Sequence, residues 1–271
     1  MPPSLSNSKK DLLGGIKELI AGALGAKASD APFCTKGTAL ALAKGDRPEL
    51  DLGRLIDGMA EKIEANWIES GRQWRGKDNW RWELRTDLDE HNLSPEVRLN
   101  RKLAKKLAEL DGRRWANEIP TGSGLMARVD SSTGGLDFAY RPSPERLCLI
   151  ELKNGENAEN PVSAAFQIVT YALVWNLARR VHAGVVSREE PITMAQEWVK
   201  ANEADLRVLV PTDHYKPFRN LAWFEERLND GIAAFGAKHD LCLTFGFRRF
   251  DDAPTDEVQA LKALAQEVDW Q

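Results

Sequence analysis

Residues 147–155 read LCLIELKNG. Leu147, Leu149 and Ile150 have the character of a buried strand, and Gly155 closes the run. Glu151 and Lys153 stand inside it, two residues apart. In a strand that spacing puts both side chains on one face and turns Leu152 into the opposite layer. Charges near a core cost free energy unless they are paired, hydrated or bound to a metal. The fold therefore turns on what surrounds this strand.

Working outward, GGLDFAY (134–140) and the turn RPSPER (141–146) read as the first strand and loop of a hairpin that ends in LCLIELKNG. Pairing Asp137 with Glu151 sets Phe138 opposite Ile150, so apolar residues match on one face. Two carboxylates and an ammonium then converge on the other. Such carboxylates repel each other without a cation between them, and hard oxygen donors suit Mg²⁺ or Mn²⁺. A metal held there lowers the pKa of bound water and steadies charge on a phosphoryl oxygen, while a nearby Lys orients the water. The chemistry this points to is phosphodiester hydrolysis.

Helices flank the hairpin. VSAAFQIVTYALVWNLARR (162–180) reads as one long helix, with Gln167 and Tyr171 four apart on one face. SPEVRLNRKLAKKLAEL (94–110) has Ser94 as an N-cap and Pro95 in the first turn. Its inward stripe is Leu99, Leu103 and Leu107, joined near the start by Glu96. Arg98, Arg101, Lys102, Lys105 and Lys106 fall on other faces, as a solvated surface or a phosphate contact. RRWANEIPTG (113–122) and LMARVDS (125–131) are further strand candidates, as are DLRVLVPT (205–212) and LCLTFGFRRF (241–250). NLAWFEERLNDGIAAFGAK (220–238) and TDEVQALKALAQEV (255–268) read as helices. The order predicts an α/β fold, a mixed sheet with helices on both faces.

The segments GGLDFAY, LCLIELKNG and AAFQIVTYAL together resemble the PD-(D/E)xK, restriction-endonuclease-like nuclease superfamily, and within it the RecB-type branch that carries QxxxY. ELK occurs once in the chain and QxxxY once, in the expected helix. The resemblance covers about residues 94–180 well and the later strand more loosely. It implies a restriction-endonuclease-like core and a site of Glu96, Asp137, Glu151, Lys153, Gln167 and Tyr171. The metal ligands it implies are Asp137, Glu151, Glu96 and the carbonyl of Leu152, around Mg²⁺ or Mn²⁺. Leu136 stands where the motif has Pro. Glu118 in RRWANEIP competes with Glu96 for the role of additional acid; Glu96 is preferred because its helix stripe faces inward. The implied activity is a metal-dependent nuclease that cleaves phosphodiester bonds of DNA with a metal-activated water. The alternative is a nuclease-fold module that binds nucleic acid or protein without turnover. Double-strand cutters of this kind often pair, so a homodimer stays open.

Residues 1–90 have no counterpart in that superfamily and read as a mainly helical extension, with residues 91–271 as the nuclease-like domain. One helix is expected from Lys10 to Leu24 and another over DLGRLIDGMAEKIEANWIESGRQW (51–74). The stretch 74–92 holds Trp74, Trp80 and Trp82 among arginines. It reads as a covering loop whose indoles pack on the core, ahead of a stacking contact to nucleic acid. TGSGL (121–125) lacks a phosphate-loop pattern and reads as a turn.

Composition narrows the partners. The 271 residues carry a formal net charge of -4, so a nucleic-acid contact must use a local patch. Cys34, Cys148 and Cys242 and the four histidines show no disulfide or zinc spacing. No uninterrupted run approaches the ~20 apolar residues of a membrane span. A cytoplasmic protein without a membrane partner is the expectation.

Overall fold

The computed structural model describes residues 12–25, 49–69, 80–88, 95–121, 135–153, 161–186, 194–211 and 221–250. Ser94, Trp74, the strand expected at 125–131, the glycines of TGSGL and the helix expected at 255–268 lie outside these.

The elements run α1 (Ile16–Leu24), α2 (Leu52–Glu69), α3 (Pro95–Asp111), a 3-10 turn (Gly112–Arg114), β1 (Trp115–Pro120), β2 (Gly135–Tyr140), β3 (Arg146–Leu152), α4 (Pro161–His182), α5 (Gln196–Lys200), β4 (Glu203–Pro211), α6 (Ala222–Ala237) and β5 (Cys242–Phe250). The strands form one open mixed sheet in the order β1-β2-β3-β4-β5. β1, β2 and β3 are antiparallel, and β3, β4 and β5 are parallel. The chain is thus an α/β fold with a five-stranded mixed sheet flanked by helices.

The expected hairpin register holds: Phe138 faces Ile150. Its alternation builds two layers. Ala139, Leu149, Leu206 and Val208 join α1, α2, α4 and α6 in one apolar cluster. Phe138, Tyr140, Cys148, Ile150, Leu152 and Leu209 join Leu99, Leu103 and Leu107 of α3 in the other. The basic residues Arg98, Lys102, Lys105 and Lys106 of α3 face solvent.

Helix α4 is long and apolar enough, by length and composition, to cross a membrane. Here it is the central core helix, packed against α2, β3 and β4 and buried almost throughout. Helix α1 starts at Ile16, because residues 12–15 form a turn in which Gly15 adopts φ +84°, and Lys10, where the helix was expected to begin, lies outside the described residues. Helices α2 and α6 approach closely through Gly53 and Gly231. A Cβ on Gly231 would lie 2.9 Å from Ile56 Cδ1 and 3.0 Å from the Gly53 nitrogen. Residues 80–88 run along β1 without regular structure, and the Trp82 and Trp198 indoles meet edge-on at 5.2 Å. Trp80 is fully buried and Trp82 packs on the core, so these two indoles are covering residues and not a stacking platform.

Candidate functional site

The parallel half of the sheet fixes where the charges go. Lys153 follows the last residue of β3, and its N–H donates to the Leu209 carbonyl at 2.9 Å, extending the ladder by one residue. Leu152 turns into the α3 layer, so Glu151 and Lys153 share the α4 face at the end of the strand. Continuing the hairpin register places Asp137 beside Glu151.

Lys153 is 4% exposed and Glu151 only 1%. Lys153 Nζ donates to Glu151 Oε1 at 2.7 Å and reaches Glu96 Oε1 at 3.4 Å. The other Glu151 oxygen, Oε2, is buried with no hydrogen-bond partner. A carboxylate left short in this way carries its desolvation cost uncompensated. Burial, opposed in part by Lys153, raises the Glu151 pKa well above the usual carboxylate range.

Asp137 is held at both oxygens. Oδ2 accepts the Leu152 N–H at 2.8 Å, and Oδ1 accepts Asn100 Nδ2 at 3.2 Å. Its carboxyl is surrounded by protein, and burial pushes its pKa up to about 6 against the pull of Lys153 and of both hydrogen bonds. On α4, Gln167 Nε2 donates to the Tyr171 hydroxyl at 2.9 Å. Burial first, and then the Glu151 charge, raise the Tyr171 pKa, so the phenol keeps its proton.

The structure thus gathers Glu96, Asp137, Glu151, Lys153 and Tyr171, with Gln167 bonded to Tyr171. Glu96, the preferred additional acid, touches Lys153. Glu118, its competitor, lies between the Asn117–Phe138 and Ile119–Leu136 pairs of the β1–β2 register, and its charge adds to the rise of the Asp137 pKa. Its carboxylate is gripped by Arg101 at 2.7 and 3.2 Å. Its backbone adopts φ +44°, unusual for Glu in a strand, and Arg81 holds its carbonyl at 2.6 Å.

Sequence reasoning missed Asn100. It is 2% exposed, and Nδ2 donates to both the carboxylate and the carbonyl of Asp137, the latter at 3.3 Å. Two acceptors on one side fix the amide orientation. Its own Oδ1 is left buried without a partner. The signal was available: Asn100 lies four residues after Glu96, on the same helix face.

Two buried acceptor oxygens without donors, Glu151 Oε2 and Asn100 Oδ1, suit a hard cation better than an apolar ligand. Among the described residues no group of three or more His, Cys, Asp or Glu side chains forms a ready metal cage. Two carboxylates and a backbone carbonyl are nonetheless enough for Mg²⁺, which keeps several waters.

No protein-family model, curated protein or solved structure matches this chain. The site is therefore read from its own chemistry.

Proposed function

We propose that the chain is a Mg²⁺- or Mn²⁺-dependent nuclease of the PD-(D/E)xK superfamily, RecB-type, acting on DNA. In this reading residues 91–271 form the restriction-endonuclease-like domain, and the helices of residues 1–90 brace it through α4 and α6. The observation that carries the reading is the buried Glu151 oxygen without a partner, beside a buried Lys153 and a second, half-buried carboxylate, Asp137.

Asp137, Glu151 and the Leu152 carbonyl would hold the metal. When bound, it supplies a lowered pKa for attacking water and a positive charge for the phosphoryl oxygens. Asn100 and the Leu152 N–H keep the Asp137 carboxylate in one orientation. Lys153, tethered between Glu151 and Glu96, orients the attacking water or meets the charge that develops on the phosphate. Tyr171 keeps its proton, and Gln167 fixes its hydroxyl, so it donates a hydrogen bond to a phosphate oxygen. Glu96 serves through Lys153.

The test is incubation of the purified chain with single-stranded DNA, duplex DNA and RNA, each with Mg²⁺, Mn²⁺ or chelator. Cleavage of DNA is expected with metal, none with chelator, and none in Glu151→Gln or Lys153→Ala. Full activity in both variants would sink the reading. Binding without cleavage under every condition would replace it by the module without turnover.

A further inference from the structure

Polar side chains on the core helix α4 find partners within the fold. Thr170 Oγ1 donates to the Phe166 carbonyl at 2.7 Å, and Gln167 and Tyr171 bond to each other. Asn176 differs. It is 4% exposed, yet its amide makes no hydrogen bond among the described residues. A polar group withdrawn from bulk water costs free energy until a partner fills it.

Asn176 lines a cleft of about 280 Å³ where α2, α4 and the end of α6 meet. Leu173 and Leu177 of α4, Ala60 of α2 and Phe235 of α6 supply its apolar walls. The half-buried His239 imidazole lies against Phe235, with ring centroids 4.5 Å apart. Burial first, and then the Arg180 charge, lower the His239 pKa, so the ring is neutral at neutral pH. Two ion pairs flank the cleft, Arg180 with Glu64 at 2.7 Å and Lys238 with Asp57 at 2.6 Å. Both cations are thus held by acids, and Glu61 adds a third acid to the lining. An anion is a poor match for such a rim.

The volume lies just under the range of about 300–1,000 Å³ that drug-sized ligands occupy, and an apolar lining with one orienting polar group is the usual make-up of such a site. The matching ligand is small, flat and uncharged. An Asn amide offers a donor and an acceptor side by side, the pair that an adenine edge fills at both atoms. Leucines and an imidazole cover the faces of a ring.

We propose that this cleft binds a nucleobase, as free base or nucleoside, with Asn176 reading its edge and His239 covering one face. Asn176 lies nine residues beyond Gln167, about 14 Å along α4, so the cleft is separate from the buried carboxylates. The proposal does not rest on the nuclease reading.

The test is calorimetric titration of the full chain with adenosine, ribose and AMP. Adenosine is expected to bind saturably, ribose not to bind, and AMP to bind more weakly than adenosine because the rim is acidic. Asn176→Leu, close in shape, should weaken adenosine about tenfold or more. Its thermal unfolding without ligand should stay at or above wild type, because no partner of the amide is lost. His239→Ala, nearer the surface, should weaken adenosine too. Lys62→Ala, whose side chain lies against Gly15 beside α1, should change nothing. A cleft that takes up only water gives no saturable heat with adenosine at millimolar concentration, and that result would overturn the proposal. Wild-type affinity in either Asn176→Leu or His239→Ala would overturn it too, as would AMP binding more tightly than adenosine. None of these outcomes bears on DNA cleavage, so failure here leaves the nuclease reading to its own test.

Discussion

Neighbouring strands of this sheet each bury a carboxylate, and the fold treats the two differently. Asp205 on β4 is saturated, with two arginines and a threonine at 2.5 to 3.2 Å. Glu151 on β3 has one donor, Lys153, and an oxygen buried without any. Burial is nearly complete for both, at 8% and 1% exposure, so solvent does not explain the difference. A carboxylate that serves the fold alone has its lone pairs filled, because an unfilled one costs free energy. One left short is what a binding position looks like before its ligand arrives.

The largest effect should separate them by function. Glu151→Gln is expected to lower metal-dependent cleavage by well over about a hundredfold, beyond what loss of an outer-shell partner costs. Asp205→Asn should keep most of the activity when assayed where it is folded. Stability should invert the order. Asp205→Ala removes the shared acceptor of Arg146, Arg207 and Thr244 and should cost about 1–3 kcal/mol in denaturant unfolding. Glu151→Gln, measured with chelator, should cost less, because the amide keeps an acceptor oxygen for Lys153, Glu96 still pairs that ammonium, and a carboxylate oxygen buried without a donor is removed.

Acidity offers a subtler way to break the comparison. The Asp137 pKa is about 6 when folded, against 3.8 as the ordinary value. The folded chain therefore binds more protons than the unfolded one between those values. Stability in chelator should rise as pH falls through about 6 toward 4, by on the order of 2–3 kcal/mol, and stay at its lower level above. Glu151 shifts in the same direction. Thermal unfolding of wild type and Asp137→Asn across that window checks this, and the variant should show a flatter profile. Saturating Mn²⁺ should also flatten it.

The smallest expected effect sits at Asn100. Its hydrogen bond holds the Asp137 pKa down, so Asn100→Ala should move that pKa further up, visible by carboxyl carbon NMR. Mn²⁺ affinity should fall about 10-fold or more. A purely structural amide would change unfolding and leave both readouts in place.

Most of this contrast was legible in the sequence on one side only. Alternation in LCLIELKNG and GGLDFAY dictates a register, and the register alone brings Asp137 to Glu151. A spacing of four on a helix likewise brings Gln167 to Tyr171. Asn100 lies beside the inward leucine stripe of α3, and only the sheet beneath that helix brings its amide onto Asp137. Glu118 was weighed as an acid, but nothing in RRWANEIP signals a left-handed Glu inside a strand. The Asp205 cluster was invisible for a related reason. Arg146, Asp205 and Thr244 meet only through the parallel pairing of β3, β4 and β5, whose registers no local turn specifies. The apolar period of DLLGGIKELI runs on through a glycine pair that the backbone uses as a turn, so α1 is shorter than its periodicity predicts.

Calorimetric titration of the full chain with Mn²⁺ tests the central claim, that the under-satisfied Glu151 carboxylate, with Asp137 beside it, holds a divalent cation. Wild type and Asp205→Asn should both bind, and Glu151→Gln should lose the heat of binding. Absence of binding in the wild type, or unchanged binding in Glu151→Gln, would contradict it.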